Sequence, residues 1–137
     1  MRRTPILLSV TLAVGLILGV LGDRFLSAQQ TSIKRTELLK TAVEGVDGKE
    51  AVIYIAELPP GASAGKHTHP GPEFAYVLDG ALTLEPQGQA AKTYKAGEVF
   101  HNAPKMVHDA KNTGTSPTKV LVFLLADKGQ PLASPAP

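Results

Sequence analysis

Cysteine is absent from this chain of 137 residues. Its absence excludes disulfide bonds and a lipid anchor attached through cysteine. Sustained helical periodicity is absent as well, and so are internal repeats and low-complexity domains, which argues against a helical bundle or a repeat protein. A small protein of this kind has to be held together by its hydrophobic core and by any metal ion that it binds.

The net charge is also small, at +2 for the whole chain. Residues 1–28 contain three of the 14 Lys and Arg residues and one of the 12 Asp and Glu residues, so residues 29–137 carry 11 of each and no net charge. A nucleic-acid partner would need a basic patch, and we therefore expect a small-molecule partner and no nucleic acid. The 109 remaining residues suffice for one core, which we place at 29–127, followed by a Pro/Ala-rich tail at 128–137 that is extended or disordered.

The first residues have the pattern of an export signal. A basic start, Met1-Arg2-Arg3, precedes the uncharged apolar run from Ile6 to Leu21, and Asp23-Arg24 ends that run. A small residue, Ala28, then stands where a signal peptidase would cut. We expect cleavage after Ala28 and a periplasmic or secreted protein. The alternative is an uncleaved membrane anchor at residues 6–22, although that run is short for a span of about 20 apolar residues.

Many short apolar runs separated by Gly/Pro turns predict an all-β chain that forms a closed barrel or jelly roll. The clearest predicted strands are 51–58, 73–78, 81–85 and 119–126, with weaker ones at 33–40, 91–95, 99–101 and 107–111. Asp79-Gly80 lies between two of these strands and predicts a tight hairpin.

Three of the four histidines stand in a pattern typical of metal ligands. His67 and His69 are two residues apart, so on a strand both rings face the same side. Pro70-Gly71-Pro72 cannot continue a regular ladder and predicts a turn that returns Glu73 to the same place. His108 would arrive on a separate strand. Two nearby histidines, a carboxylate and a distant histidine form a metal site if the chain folds back on itself.

This pattern resembles the cupin superfamily, and in particular small single-domain cupins of the type-2, quercetin-dioxygenase-like kind. The first cupin motif is matched at every fixed position by Gly61, His67, His69, Glu73 and Gly80. The second motif is matched by Gly97, Pro104, His108 and Asn112, with one extra residue before Pro104 and with Met106 near the place of a later glycine. The resemblance covers roughly residues 33–127. It implies a small antiparallel β-barrel, or double-stranded β-helix, in which Asn112 is structural.

The resemblance also implies the cofactor. It indicates one divalent transition metal, with Fe, Mn or Ni favoured and Zn as an alternative, bound in the barrel mouth by His67, His69, Glu73 and His108. Four protein ligands on a six-coordinate ion leave two positions for a substrate oxygen and for O₂ or water. Glu73 is the candidate catalytic residue, because it could take a proton from a bound hydroxyl group.

The substrate pocket is expected to be mostly apolar. Its candidate lining residues are Met106, Phe74, Tyr76, Phe100 and Phe123, together with Tyr54 and Leu121. Met106 is preferred because it shares a strand face with His108. Lys66 and Lys105 flank the histidines and could meet an anionic substrate, although such lysines are more often simply solvated. His101 lies outside the motif and is expected to be a packed or surface residue.

Three functions are compatible with this site. The first is an exported metal-dependent dioxygenase-like enzyme acting on a small hydroxylated or enolic compound. The second is a cupin isomerase or decarboxylase, and the third is a non-catalytic metallo-cupin that binds a small ligand. The fold supports many reactions, so the motif predicts the site better than the reaction. A homodimer, with edge strands such as 33–40 pairing between subunits, is a further expectation by analogy.

Overall fold

The computed structural model describes residues 32–137, and the predicted signal segment or anchor at residues 1–28 lies outside them. The described part consists of strands, turns and loops. None of its residues form a helix long and apolar enough to cross a membrane. The all-β fold class predicted from the sequence is confirmed.

Ten β-strands follow one another along the described chain. They are β1 (Lys34–Ala42), β2 (Lys49–Leu58), β3 (His67–Thr68), β4 (Glu73–Asp79), β5 (Ala81–Pro86), β6 (Lys92–Lys95), β7 (Val99–Asn102), β8 (His108–Lys111), β9 (Thr118–Asp127) and β10 (Ser134–Pro135). All pairings are antiparallel and give two five-stranded sheets. The first sheet has the order β1-β2-β9-β4-β7 and the second has the order β10-β3-β8-β5-β6. The chain thus passes repeatedly between two facing sheets, as in a jelly roll.

Strict alternation along the strands decides which side chains enter the space between the sheets. On β2 and β9 every second residue is buried, including Val52, Val120 and Val122, and the residues between them face outward. Leu82 and Leu84 of β5 meet this buried set from the second sheet. The same alternation places functional side chains inside or outside, because a shift of one residue reverses the face.

The predicted hairpin at Asp79-Gly80 is a corner between the two sheets instead. β4 pairs with β7 and β9 in the first sheet, whereas β5 pairs with β6 and β8 in the second. Gly80 has a φ of 73°, and a Cβ there would lie 2.8 Å from the Thr118 hydroxyl oxygen. That hydroxyl donates to the Ala81 carbonyl at 2.8 Å. Both a corner of this kind and a tight hairpin need a residue with a positive φ, which glycine adopts most easily. The sequence Asp79-Gly80 therefore does not distinguish the two.

The C-terminal segment, predicted as an extended or disordered end, contributes a strand to the second sheet. β10 pairs with β3, with Ser134 opposite Thr68 and Pro135 opposite His67. The Ala136 N–H also donates to the Lys66 carbonyl at 3.0 Å, and Leu132 packs against the core. The segment that the sequence places outside the barrel therefore lies directly beside a histidine of the metal motif.

Candidate metal centre

The second sheet brings three histidines together. His67 on β3 lies directly opposite His108 on β8 in the strand register, and His69 follows His67 by two residues. The ring centroids are 4.4 Å apart for His67 and His108, 4.9 Å for His67 and His69, and 5.2 Å for His69 and His108. One nitrogen from each ring lies within 4.8 Å of the other two. The three imidazoles could therefore bind one metal ion, as the motif predicts.

Glu73 reaches the same place from the first sheet. It is the first residue of β4 and is 6 % exposed. Its Oε1 lies 3.4 Å from His69 Nε2, and its Oε2 lies 3.6 Å from His108 Nε2. The candidate site thus lies between the two sheets, with three nitrogens from one and a carboxylate from the other. Three imidazoles and a carboxylate suit a divalent first-row transition ion.

The turn that returns Glu73 depends on Gly71. The Pro72 carbonyl accepts a hydrogen bond from the Leu125 N–H at 3.2 Å, which ties this turn to β9. A Cβ on Gly71 would overlap the Leu125 carbonyl oxygen. Only glycine lets the turn approach β9 this closely, and this approach starts β4 with Glu73 facing inward.

Hydrogen bonds to the backbone fix the tautomer of all three histidines. Each ring directs Nδ1 at a main-chain carbonyl, which can only accept, so Nδ1 carries a proton and Nε2 of the neutral ring keeps its lone pair. The acceptors are the carbonyl of Gly65 for His67 at 2.7 Å, that of Leu132 for His69 at 2.6 Å and that of Met106 for His108 at 3.0 Å. Such bonds are the usual support of a metal-binding histidine.

Two further observations test whether these residues fit a metal. His69 Nε2 is buried and has no hydrogen-bond partner among the described residues, and an unpartnered buried lone pair is costly unless something binds it. Burial is the largest cause that lowers the pKa of His67 below its ordinary value, which favours the neutral, ligating form, while the hydrogen bond to the Gly65 carbonyl acts in the opposite direction. Both observations fit a bound cation.

Asn102 is a contributor that the sequence analysis missed. It lies opposite Glu73 in the pairing of β4 with β7, is 1 % exposed and donates from Nδ2 to Glu73 Oε2 at 2.7 Å. This hydrogen bond orients the carboxylate toward the histidines. Asn102 follows Phe100 by two residues on the same strand, so the sequence could have predicted that both side chains face inward. It could not have predicted that Asn102 lies opposite Glu73, because that register depends on long-range pairing.

The site opens into a small cavity of about 40 Å³. Its polar lining comes from Arg35, Tyr54, His67, Glu73 and His108. The rest is apolar and is formed by Ile33, Ala56, Leu58, Ala64, Leu82, Leu84, Phe100, Ala110, Val120 and Val122. A cavity needs about 10–15 Å³ to hold one water molecule, so this cavity holds only a few groups of that size.

Four of the residues expected to line the pocket lie on the other side of the first sheet. Phe74 and Tyr76 are 46 % and 41 % exposed, and Phe123 is their half-buried neighbour, opposite Phe74 in the register. Because Glu73 faces inward, Phe74 and Tyr76, which are one and three residues further along β4, must face outward. Leu121, opposite Tyr76, faces outward with them. The aromatic residues of this face form an outer groove with Val99 and His101.

The remaining expected residues have different positions. Phe100 and Tyr54 are buried and line the cavity. Met106 is half-buried and does not belong to the cavity lining, but its carbonyl orients His108. Lys66 and Lys105 are exposed and lie outside the lining.

The loop before His108 departs from the motif without loss of the site. Lys105 has a φ of 61°, the left-handed conformation that usually favours glycine. Its N–H donates to the His69 carbonyl at 2.9 Å, which joins the two motifs. Asn112 is structural, because its Nδ2 donates to the Leu58 and Ser116 carbonyls and its Oδ1 accepts from the Gly114 N–H.

Comparison with known families assigns the chain. The family described as the cupin domain matches residues 54–124, which is just over half of the chain and includes all four candidate ligands. This chain belongs to the cupin family. Membership supports the fold described above and leaves the reaction open, because one fold can support many reactions.

Individual relatives agree on the fold of this cupin. A germin-like protein of Arabidopsis thaliana, subfamily 2 member 2, is 43 % identical over 84 residues, which cover 58 % of this chain and 38 % of the relative. The chain thus matches well under half of that protein's length. A double-stranded β-helix protein from Klebsiella pneumoniae is 22 % identical with a TM-score of 0.61, over 80 % of this chain and 88 % of the other. A structure of oxalate oxidase is 21 % identical with a TM-score of 0.59, over 73 % and 53 %.

Proposed function

We propose that this cupin is a metal-dependent enzyme that binds one divalent transition ion through His67, His69, Glu73 and His108. The observation that carries the proposal is the fixed tautomer of the three histidines, which directs three unprotonated Nε2 atoms to one place beside a carboxylate. Fe, Mn or Ni would suit this ligand set, with Zn as an alternative. The reaction that we propose is dioxygenase-like, on a small hydroxylated or enolic compound.

The protein's own groups have separable roles in such a reaction. A bound ion would supply a Lewis acid and a template for the substrate oxygen. Glu73 would accept a proton from the substrate hydroxyl group, because it lines the cavity and Asn102 donates to only one of its two carboxylate oxygens. Tyr54 would stay a neutral donor, since burial first and then the Glu73 carboxylate raise the pKa of its phenol well above the usual range. The apolar walls would exclude water and strengthen these interactions.

The cavity volume supports a small substrate rather than a flavonol. About 40 Å³ accommodates a few non-hydrogen atoms beside the ligands, whereas a flavonol has three rings. We therefore propose small 2-hydroxy acids, enols and diketones ahead of the flavonols that a quercetin-dioxygenase-like resemblance would favour.

Oxygen consumption tests the reaction class. The protein is reconstituted separately with Fe(II), Mn(II) and Ni(II), and O₂ uptake is followed over a panel of hydroxy acids, diketones, thiols and flavonols. We expect uptake with a small member of the panel and a loss of about 100-fold or more in Glu73→Gln, which removes the proton acceptor. The exposed Glu98→Gln serves as the matched control.

The other outcomes of this experiment separate the alternatives. Substrate consumption without O₂ uptake would identify an isomerase or decarboxylase. Ligand binding without turnover for every metal would identify a non-catalytic metallo-cupin and would overturn the enzymatic proposal.

We also propose that the protein is exported, on the strength of the signal-like segment at residues 1–28. Cell fractionation followed by mass spectrometry of the N-terminus tests this directly. We expect a mature protein that begins at Gln29 outside the cytoplasm. An intact N-terminus in the membrane fraction would support the anchor, and a cytoplasmic protein would contradict export.

A further inference from the structure

Arg35 reaches the cavity from the edge strand of the first sheet. On β1 it lies opposite Ala56 of β2, whose side chain is buried between the sheets. Residues paired in this way share a face, so Arg35 points to the inner side while Lys34 and Thr36 point away. Arg35 accordingly belongs to the cavity lining, together with Tyr54, His67 and Glu73.

The charge of Arg35 has no counterpart in the described part of the chain. The two other basic residues of β1 are paired, Lys34 with Glu57 at 3.5 Å and Lys40 with Glu50 at 3.0 Å. Among residues 32–137, Arg35 forms no ion pair. Arg35 is exposed at the edge of the cavity, so its guanidinium is free to form a charge-assisted hydrogen bond to an anion that enters there.

Tyr54 adds a second donor beside the guanidinium. Its phenol is buried and remains protonated, and the positive charge of Arg35 is close enough to oppose the rise in the phenol pKa caused by burial and Glu73. Arg has donors only, and a protonated phenol donates one hydrogen bond. One part of the cavity thus offers donors, while the other part offers the histidine lone pairs and the Glu73 carboxylate.

Net charge leads to the same conclusion. A divalent ion held by three neutral imidazoles and one carboxylate carries about +1, and Arg35 raises the total in the cavity to about +2. A neutral hydroxylated ligand would gain no ion-paired, charge-assisted hydrogen bond from the guanidinium, whereas an anion would gain one. An anion with two oxygens would satisfy both parts of the cavity.

We infer that Arg35, assisted by Tyr54, is the specificity-determining residue of this site and selects a small anionic substrate, a carboxylate or enolate of a few carbons. One anionic oxygen would face the guanidinium and a second oxygen would reach the metal. This inference rests on the proposed function, because it assumes that the histidine site holds the ion to which the substrate binds. Lys66 and Lys105, which from the sequence could meet an anionic substrate although such lysines are more often solvated, both lie outside the cavity that Arg35 lines.

A matched pair of probe ligands tests the inference by binding alone. Glycolate and glycolamide have the same number of non-hydrogen atoms and differ in charge. Calorimetric titration of the Mn(II)-loaded and metal-free protein with each probe is carried out for the wild type, R35Q, Y54F and K34Q. K34Q is the control, because it removes a charge from the same strand on the outward side.

We expect the wild type and K34Q to bind glycolate at least tenfold more tightly than glycolamide. R35Q should lose this preference through a rise of about 10- to 100-fold in the glycolate Kd, because a charge-assisted hydrogen bond is removed. Y54F should show a smaller rise. Melting temperatures and Mn(II) content of the variants should match those of the wild type, since Arg35 is exposed and is not a metal ligand.

An unchanged glycolate Kd in R35Q, an equal rise in K34Q, or no binding of either probe by the wild type would overturn the inference. Failure of the wild type to take up metal would contradict the proposed function only. The Arg35 claim would still be decided on the metal-free protein, where the guanidinium should preserve the preference for glycolate without an ion.

Discussion

Each ligand of the candidate site is held by a partner that leaves its metal-facing atom free. The backbone carbonyls fix Nδ1 of the histidines, and the Asn102 amide fixes one oxygen of Glu73. Orientation by such partners commonly accounts for 10- to 100-fold in metal affinity. The first test at the scale of single residues therefore concerns Asn102, which donates a hydrogen bond to Glu73.

Replacing Asn102 should weaken the metal without destroying the fold. N102A removes the donor to Glu73 and should lower metal affinity by about 10- to 100-fold, measured by competition with a chelator of known affinity. N102D keeps the size of the side chain but has no N–H to donate, so it should also lose the hydrogen bond that orients Glu73. Equal metal affinity in the wild type and N102A would show that Asn102 does not contribute to metal binding.

Gly71 provides a steric test of how Glu73 is positioned. G71A should destabilise the protein by about 3 kcal/mol, because a methyl group at this position overlaps the Leu125 carbonyl oxygen and the turn must move. Denaturant unfolding measures the change. The control is G88A, where the φ of 75° is strained but the space is open, so the cost should be about 1 kcal/mol. A smaller loss in G71A than in G88A would contradict the described turn.

At the scale of elements, β10 and the loop before it contact two residues of the site, His67 and His69. The Leu132 carbonyl accepts the Nδ1–H of His69, and β10 pairs beside His67. A chain that ends at Gly129 should keep its fold, because β10 has only two residues, but should bind metal about 10- to 100-fold more weakly.

The control for this truncation is L132A, which keeps the carbonyl and removes the side chain. Its metal affinity should stay near that of the wild type while its stability falls by about 1 kcal/mol or more, because a half-buried side chain is lost. Full metal affinity in the truncated chain would show that His69 needs no support from this segment.

The parts of the site that depend on residues close together in sequence could be predicted, and the parts that depend on distant residues could not. His67, His69 and Glu73 were predictable because their spacing acts through one strand and one turn, and His108 because its motif is intact. The inward or outward direction of Phe74 and Tyr76 was also available from Glu73, since parity is local. We predicted that both side chains line the pocket because they are aromatic, although the alternation along the strand indicates the outer face. The structure places both on the outer face.

The remaining contributors depend on pairings that no local pattern encodes. Asn102 reaches Glu73 through the register of β4 with β7, Arg35 reaches the cavity through the register of β1 with β2, and Leu132 reaches His69 through the path of the C-terminal segment. Each joins residues at least 21 positions apart in sequence, the shortest separation being that of Arg35 and Ala56. Such registers result from packing of the whole sheet, which the sequence specifies only collectively.

At the scale of the whole molecule, a protein without disulfides should gain stability from its metal. Ligand binding to the native state stabilises it by about 2.7 kcal/mol when the free ion is at about 100 times its Kd. For a domain of this size the melting temperature should fall by about 10 °C on chelation. Differential scanning calorimetry with and without a chelator measures this, and the double variant H67A/H69A should show no shift. A wild type insensitive to the chelator would argue against a metal that supports the fold.

Metal stoichiometry tests the central claim most directly. The protein is purified without an affinity tag and its metal is measured by inductively coupled plasma mass spectrometry, for the wild type, H67A/H69A and H101A. His101 is the matched control, because it is exposed on the outer face and contacts Phe74 rather than the site. We predict close to one transition ion per chain in the wild type and H101A, and almost none in H67A/H69A. Equal metal in the wild type and H67A/H69A, or none in the wild type after reconstitution, would contradict the account.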